Sequence, residues 1–240
     1  MIRKIALLMA LICALSLFGG CADKGKGDTE STVSLEPISV PKNISVTKAN
    51  DSEEWVYEYD GFKDQPHHVP QFNVNAEGVA EINKKIVDRC KGYIDSGKVR
   101  NISYTFMMKN CLLSVCIEVM DDGWFKEAFV YNLSLGDGTL VEDARTMAAY
   151  CGITDEEYRI AAATAATIEY KSLFASFSDS NGTQYKENLL KNQSKKMTDK
   201  YEGYINERGE LSFCGQMYSL DGSMRGFSCT SVQGQGMVLQ

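Results

Sequence analysis

The chain has 240 residues, 44% of them hydrophobic, and a formal net charge of −7. That acidity excludes the broad basic face used to bind nucleic acid or anionic lipid, and solubility is its simplest role. The eight cysteines are irregularly spaced and form no CxxC pair, so no zinc-finger or zinc-ribbon pattern is present.

Arg3 and Lys4 open the chain, and the run from Ile5 to Phe18 is apolar except for Ser16. This is the layout of an export signal. The run is shorter than the ~20 apolar residues that a spanning helix needs. Gly19 and Gly20 then place small side chains beside a cleavage point, and Cys21 follows. "LFGGC" resembles a bacterial lipobox, with Phe18 where an aliphatic residue is common. The resemblance implies that the Cys21 sulfur is alkylated by a diacylglycerol and that the chain is cut just before it. Residues 1–20 are then a lipoprotein signal peptide, and the chain sits on the extracytoplasmic face of the cell membrane. Each buried lipid methylene contributes about 0.8 kcal/mol, so a multi-chain anchor holds a domain without a transmembrane helix. Losing Arg3 and Lys4 with the signal takes the net charge to about −9.

Residues 21–52 are rich in Lys, Gly, Ser, Thr, Asp and Glu and contain Pro37 and Pro41, a composition that predicts a flexible tether. An N-terminal α+β module is expected over 53–138. In "EWVYEYD", Trp55, Tyr57 and Tyr59 alternate with Val56, Glu58 and Asp60 as on a strand. Val79, Ile82, Ile86, Val87, Cys90 and Ile94 recur at three- and four-residue spacing, which predicts a helix that stops before Gly97. Three strand-like runs follow, "NISYTFMMK", "LLSVCIEVM" and "WFKEAFVYNLSL", separated by short turns that include "DDG". An antiparallel meander is the economical arrangement.

A C-terminal part, 139–235, holds helices and a β-meander and either stands alone or continues the first module as one domain. Helices are predicted at about Val141 to Tyr150 and Thr154 to Phe177, with a polar one at about Gln184 to Met197. Thr154 and Glu157 form a capping box, and Gly152 breaks the chain before it. Three strands then run through "KYEGYINERGELSFCGQMYSLDGSMRGFSCTSV", turning at "NERG" and "LDG". Strands, helices, then strands without βαβ alternation predict an α+β fold: antiparallel sheets with helices packed on one face.

Little in this sequence reads as catalysis. His67 and His68 are adjacent before Pro70 and lack a third ligand at suitable spacing, which predicts exposed loop residues and no metal site. Asp121 and Asp122 sit in a turn, where aspartate suits the backbone, and Glu156 and Glu157 sit in a helix's first turn, where negative charge suits the dipole. No catalytic residue and no cofactor are assigned. Trp124 and Phe125, beside the "DDG" turn, are either exposed binding anchors or aromatics folded onto the sheet. Cys90, Cys111, Cys116, Cys151, Cys214 and Cys229 remain after the signal and anchor cysteines. They are either buried thiols or bridges, and Cys111 and Cys116, five apart on a strand, face opposite sides and do not pair with each other.

"VPQF" with "EINKKI", the paired strands, "YNLSLGDGTLV", "GITDEEY" and "YINERGELSF" resemble a two-part extracytoplasmic module of Gram-positive bacteria. It occurs in the lysozyme-sensing ectodomain of a membrane anti-sigma factor and ahead of the catalytic domain of a peptidoglycan deacetylase. The resemblance spans roughly Glu54 to Val232, and its motifs are structural. It implies a non-enzymatic binding or sensing lipoprotein at the cell envelope, whose partners are the membrane, through Cys21, and a protein such as lysozyme or a peptidoglycan component. The alternative is a hydrolase acting on wall polymers through Asp121, Asp122 and Glu157. The anchor is directly testable: labelled fatty acid is expected to incorporate into the wild-type chain and not into Cys21→Ser, and an unmodified mature terminus elsewhere contradicts it.

Overall fold

In a computed structural model the chain is described over residues 38–121, 124–174, 202–218 and 224–231. Val56–Glu58 (β1) and Pro70–Phe72 (β2) form an antiparallel pair, followed by helix α1, Val79–Asp95. Asn101–Lys109 (β3), Leu112–Asp121 (β4) and Trp124–Ser134 (β5) make an antiparallel sheet in the order β3-β4-β5. Helices Ala144–Cys151 (α2) and Asp155–Phe174 (α3) come next. Glu202–Ile205 (β6), Leu211–Tyr218 (β7) and Met224–Ser231 (β8) close the chain as a second antiparallel sheet. The fold is α+β, and each three-stranded sheet carries helices on one face. Among the described residues no helix is long and apolar enough to cross a membrane.

Strand periodicity explains how the layers stack. Alternate side chains leave a strand on opposite faces. Leu113, Val115, Ile117 and Val119 of β4, with Phe129 and Leu133 of β5, form one core with Ile82, Ile86 and Cys90 of α1. The intervening Ser114 and Cys116 of β4, and Ala128 and Asn132 of β5, face the second sheet instead. There the Ile205 amide donates to Ser114 Oγ over 3.0 Å and Asn132 Nδ2 donates to the Gly203 carbonyl over 2.8 Å. On the outer side of the second sheet, Ile205, Leu211 and Phe213 pack with Met147, Tyr158, Ala162 and Ala165. Close approach governs this layer, since a Cβ on Gly203 would lie 2.1 Å from the Tyr158 hydroxyl.

Local signals place the helices. The Asp143 side chain accepts from the Thr146 amide at 2.8 Å, so α2 begins at Ala144 and not at Val141, whose amide instead donates to the Asn132 carbonyl beside β5. Gly152, at φ 71°, ends α2 in the left-handed conformation that glycine tolerates best. The capping box forms as the sequence predicts: Thr154 donates through its amide and hydroxyl to Glu157 Oε2, and the Glu157 amide donates to Thr154 Oγ1. The polar helix expected over 184–197 lies outside the described residues.

The packed body begins earlier than composition suggests. Residues 38–52, expected within the tether, lie against it: the Ser45 and Val46 amides donate to the Leu135 carbonyl, and Thr47 bridges Asn75. Asn73, fully buried, holds this arm. Its Oδ1 accepts from the Ala49 and Asn50 amides at 3.0 and 2.9 Å, and its Nδ2 donates to the Glu54 carbonyl at 2.9 Å. Composition misses this because the arm is held by backbone hydrogen bonds rather than by large apolar side chains. Asn73→Ala strands those backbone groups and is expected to cost about 1–3 kcal/mol, read as a lowered urea midpoint.

Candidate functional site

A cleft of about 910 Å³ opens where α1, β5, β6 and α3 meet. Its charged groups include Lys85 and Arg89 from α1, Glu127 from β5, Arg159 from α3 and Glu202 from β6. Helical spacing puts Lys85 and Arg89 four residues apart on one side of α1. Arg89 Nη2 donates to Glu127 Oε1, and its guanidinium lies 3.8 Å from the centre of the Phe129 ring. That combination of ion pair and ring face fixes the cation at the cleft wall. Burial alone would lower the Arg89 pKa, but the Glu127 carboxylate and Tyr131 together outweigh it and raise it.

Four carboxylates line the cleft, Glu142 and Asp143 ahead of α2 and Glu127 and Glu202 on the strands. Glu127 Oε2 is buried and has no hydrogen-bond partner among the described residues. A buried acceptor without a donor is costly, so this oxygen is a natural point of attachment for a ligand N–H or O–H. At Glu202, desolvation raises the carboxyl pKa, opposed by the Val130 amide and Arg89. The cleft therefore accepts hydrogen bonds at one wall and offers cations at α1 and α3, with Phe129, Tyr131, Leu140 and Met147 as apolar lining.

A second grouping lies in the seam between the sheets. Cys116 of β4, Cys214 of β7 and Cys229 of β8 bring their sulfurs within 4.8 Å of one another. These three could hold a metal. Contacts with the Cys116 and Cys214 thiols, joined by the Tyr204 hydroxyl, hold the Cys229 sulfur well below the ordinary thiol range. Burial pushes the isolated thiols of Cys90 and Cys151 up to about 12, leaving them unreactive.

The residues singled out from sequence are scattered. Cys21 and Asp122 lie outside the described residues. Trp124 and Phe125 start β5, paired in register with Asp121 and Met120, and their side chains lie outside what is described. Asp121 ends β4, while Glu157 is engaged in the capping box of α3 and Glu156 occupies the same first turn. His68 is exposed and pairs with Glu58 at 3.0 Å, as expected of a loop residue. His67 is not exposed: it is only 7% accessible, because its backbone bridges Ile102 of β3 and draws the side chain inward. Sequence reasoning missed Arg89, Glu127 and Glu202, and no local pattern could have found them, since they meet only through α1, β5 and β6. Compared with protein-family models, curated proteins and solved structures, the chain shows no match.

Burial, then the charge of His68, lowers the His67 pKa from 6.5. The unfolded chain therefore binds the proton more readily, so this contribution to stability is complete above pH 6.5 and is lost as pH falls below it towards the folded value. His67→Gln is expected to flatten that part of the stability profile, measured by urea unfolding across pH 4–7.

Proposed function

We propose that this chain is a lipid-anchored, extracytoplasmic binding or sensing protein, non-enzymatic, that takes a wall component or a protein such as lysozyme in the cleft beside α1. The observation that carries the reading is the buried Glu127 Oε2, without a hydrogen-bond partner among the described residues, in the wall of a cleft large enough for a ligand. An amine or hydroxyl donor satisfies that oxygen, and amino sugars, wall peptides and lysine or arginine side chains all present one. The arrangement of Arg3, Lys4, the apolar run and Cys21 supports the location, and the resemblance of "VPQF", "YNLSLGDGTLV" and "YINERGELSF" to the wall-facing module supports the ligand class.

A second reading, hydrolysis of wall polymers, draws on a different pair of carboxylates from those the sequence offered. Glu127 and Glu202 both line the cleft, and Glu202 is shifted towards the protonated form that a general acid needs.

The chain lacking residues 1–21 is expected to be retained by purified peptidoglycan or by immobilised lysozyme. Glu127→Gln removes a charged acceptor and is expected to weaken retention about 10-fold or more. Binding to neither rejects the proposal, and release of soluble sugars or peptides that Glu202→Gln abolishes establishes the hydrolase in its place.

A further inference from the structure

The seam cluster has a geometry that ordinary packing of small side chains does not require. Cys214 and Cys229 are directly opposite in the β7–β8 register, with their sulfurs 3.0 Å apart. Cys116 comes from the other sheet and places its sulfur 3.5 Å from that of Cys214. Three sulfurs about 2.3 Å from one ion stand roughly 4 Å from each other; the three here lie within 4.8 Å of one another, and an ion between them widens the 3.0 Å and 3.5 Å separations by a side-chain adjustment. A cross-strand disulfide accounts for Cys214 and Cys229 but leaves the third sulfur, delivered across the seam, without a role.

The surroundings fit an ion as well. Ala128, Val130 and Tyr204 wall the cluster, giving a largely dry pocket in which soft ligands favour a soft cation. Cys116 and Cys214 are buried while Cys229 is half-buried, which leaves one edge for entry and for a water ligand. Tyr204 packs in the same cluster, and its hydroxyl is among the groups that favour the ionised Cys229 sulfur, the kind of outer partner that orients a metal ligand. Glu118, the next residue of β4 on the same face, lies near Cys229, and burial, then the Cys229 sulfur, pushes its carboxyl up to about 7.

We propose that Cys116, Cys214 and Cys229 form a three-sulfur site for a single thiophilic d10 cation, Zn2+ or Cu(I). Binding forms three metal–sulfur bonds, and the protons of the thiols that ionise pass to solvent. Because the ligands come from both sheets, the ion ties β4 to β7 and β8. Hard cations such as Mg2+ and Ca2+ prefer oxygen ligands and are excluded.

The test uses the full chain, reduced, freed of metal with a chelator and kept under anaerobic conditions. Titration with Cd2+ is expected to give a sulfur-to-metal charge-transfer band that saturates at one equivalent, and competition against colorimetric chelators for Zn2+ and for Cu(I) distinguishes the two ions. Cys116→Ser, Cys214→Ser and Cys229→Ser should each lose the band while Cys90→Ser and Cys151→Ser keep it. Tyr204→Phe should weaken binding about 10-fold. Should a cysteine variant fail to fold, alkylation of the wild-type chain decides: bound metal must protect these three thiols together and no others. Absence of a stoichiometric band, its survival in Cys116→Ser, or a Cys214–Cys229 disulfide whose reduction yields no metal uptake overturns the proposal.

Discussion

The structure depends on β4 being buried on both faces. Antiparallel sheets commonly keep one face in water, but from Leu112 to Ile117 every β4 residue is buried. One face meets α1 through branched aliphatic side chains, and the other meets the second sheet through smaller ones. The strand can be covered twice only because the seam side carries Ser114 and Cys116, which let the sheets approach. That closeness has a polar cost, since the seam encloses backbone groups of β6 that lack water. Ser114 and Asn132 answer it by accepting from the Ile205 amide and donating to the Gly203 carbonyl.

The cleft follows from the same layering. β6 meets β5 through the Asn132–Gly203 bond, and the cleft opens beside that junction, between α1 and α3. Arg89 is the main organiser there, because it both pairs with Glu127 and covers Phe129. Arg89 reaches Glu127 through one nitrogen only, not as a two-pronged fork, and this leaves Glu127 Oε2 without a partner among the described residues.

Regularity decides which parts of this arrangement could be read in advance. Helix α1 follows from the three- and four-residue recurrence of Val79, Ile82, Ile86 and Cys90, and the start of α3 follows from Thr154 and Glu157, because both signals act within one or two turns. Helix α2 starts at Ala144, three residues after the expected Val141, because Asp143 holds the cap. His67 and the 38–52 arm escape local reading for another reason. Their environment is set by partners distant in sequence, Ile102 for the histidine, and Asn73 and Leu135 for the arm.

What the sequence alone determined is therefore local: the α+β class, the meanders, the caps, and a lipobox-like stretch at Cys21, all carried by residues adjacent or one helical turn apart. Tertiary structure decided which residues meet. Cys116 lies 98 residues from Cys214, yet their sulfurs come within 3.5 Å, and Arg89 finds Glu127 across 38 residues. Spacing along the chain carries no record of such encounters, because they arise when two sheets stack in one particular register and a helix crosses one of them.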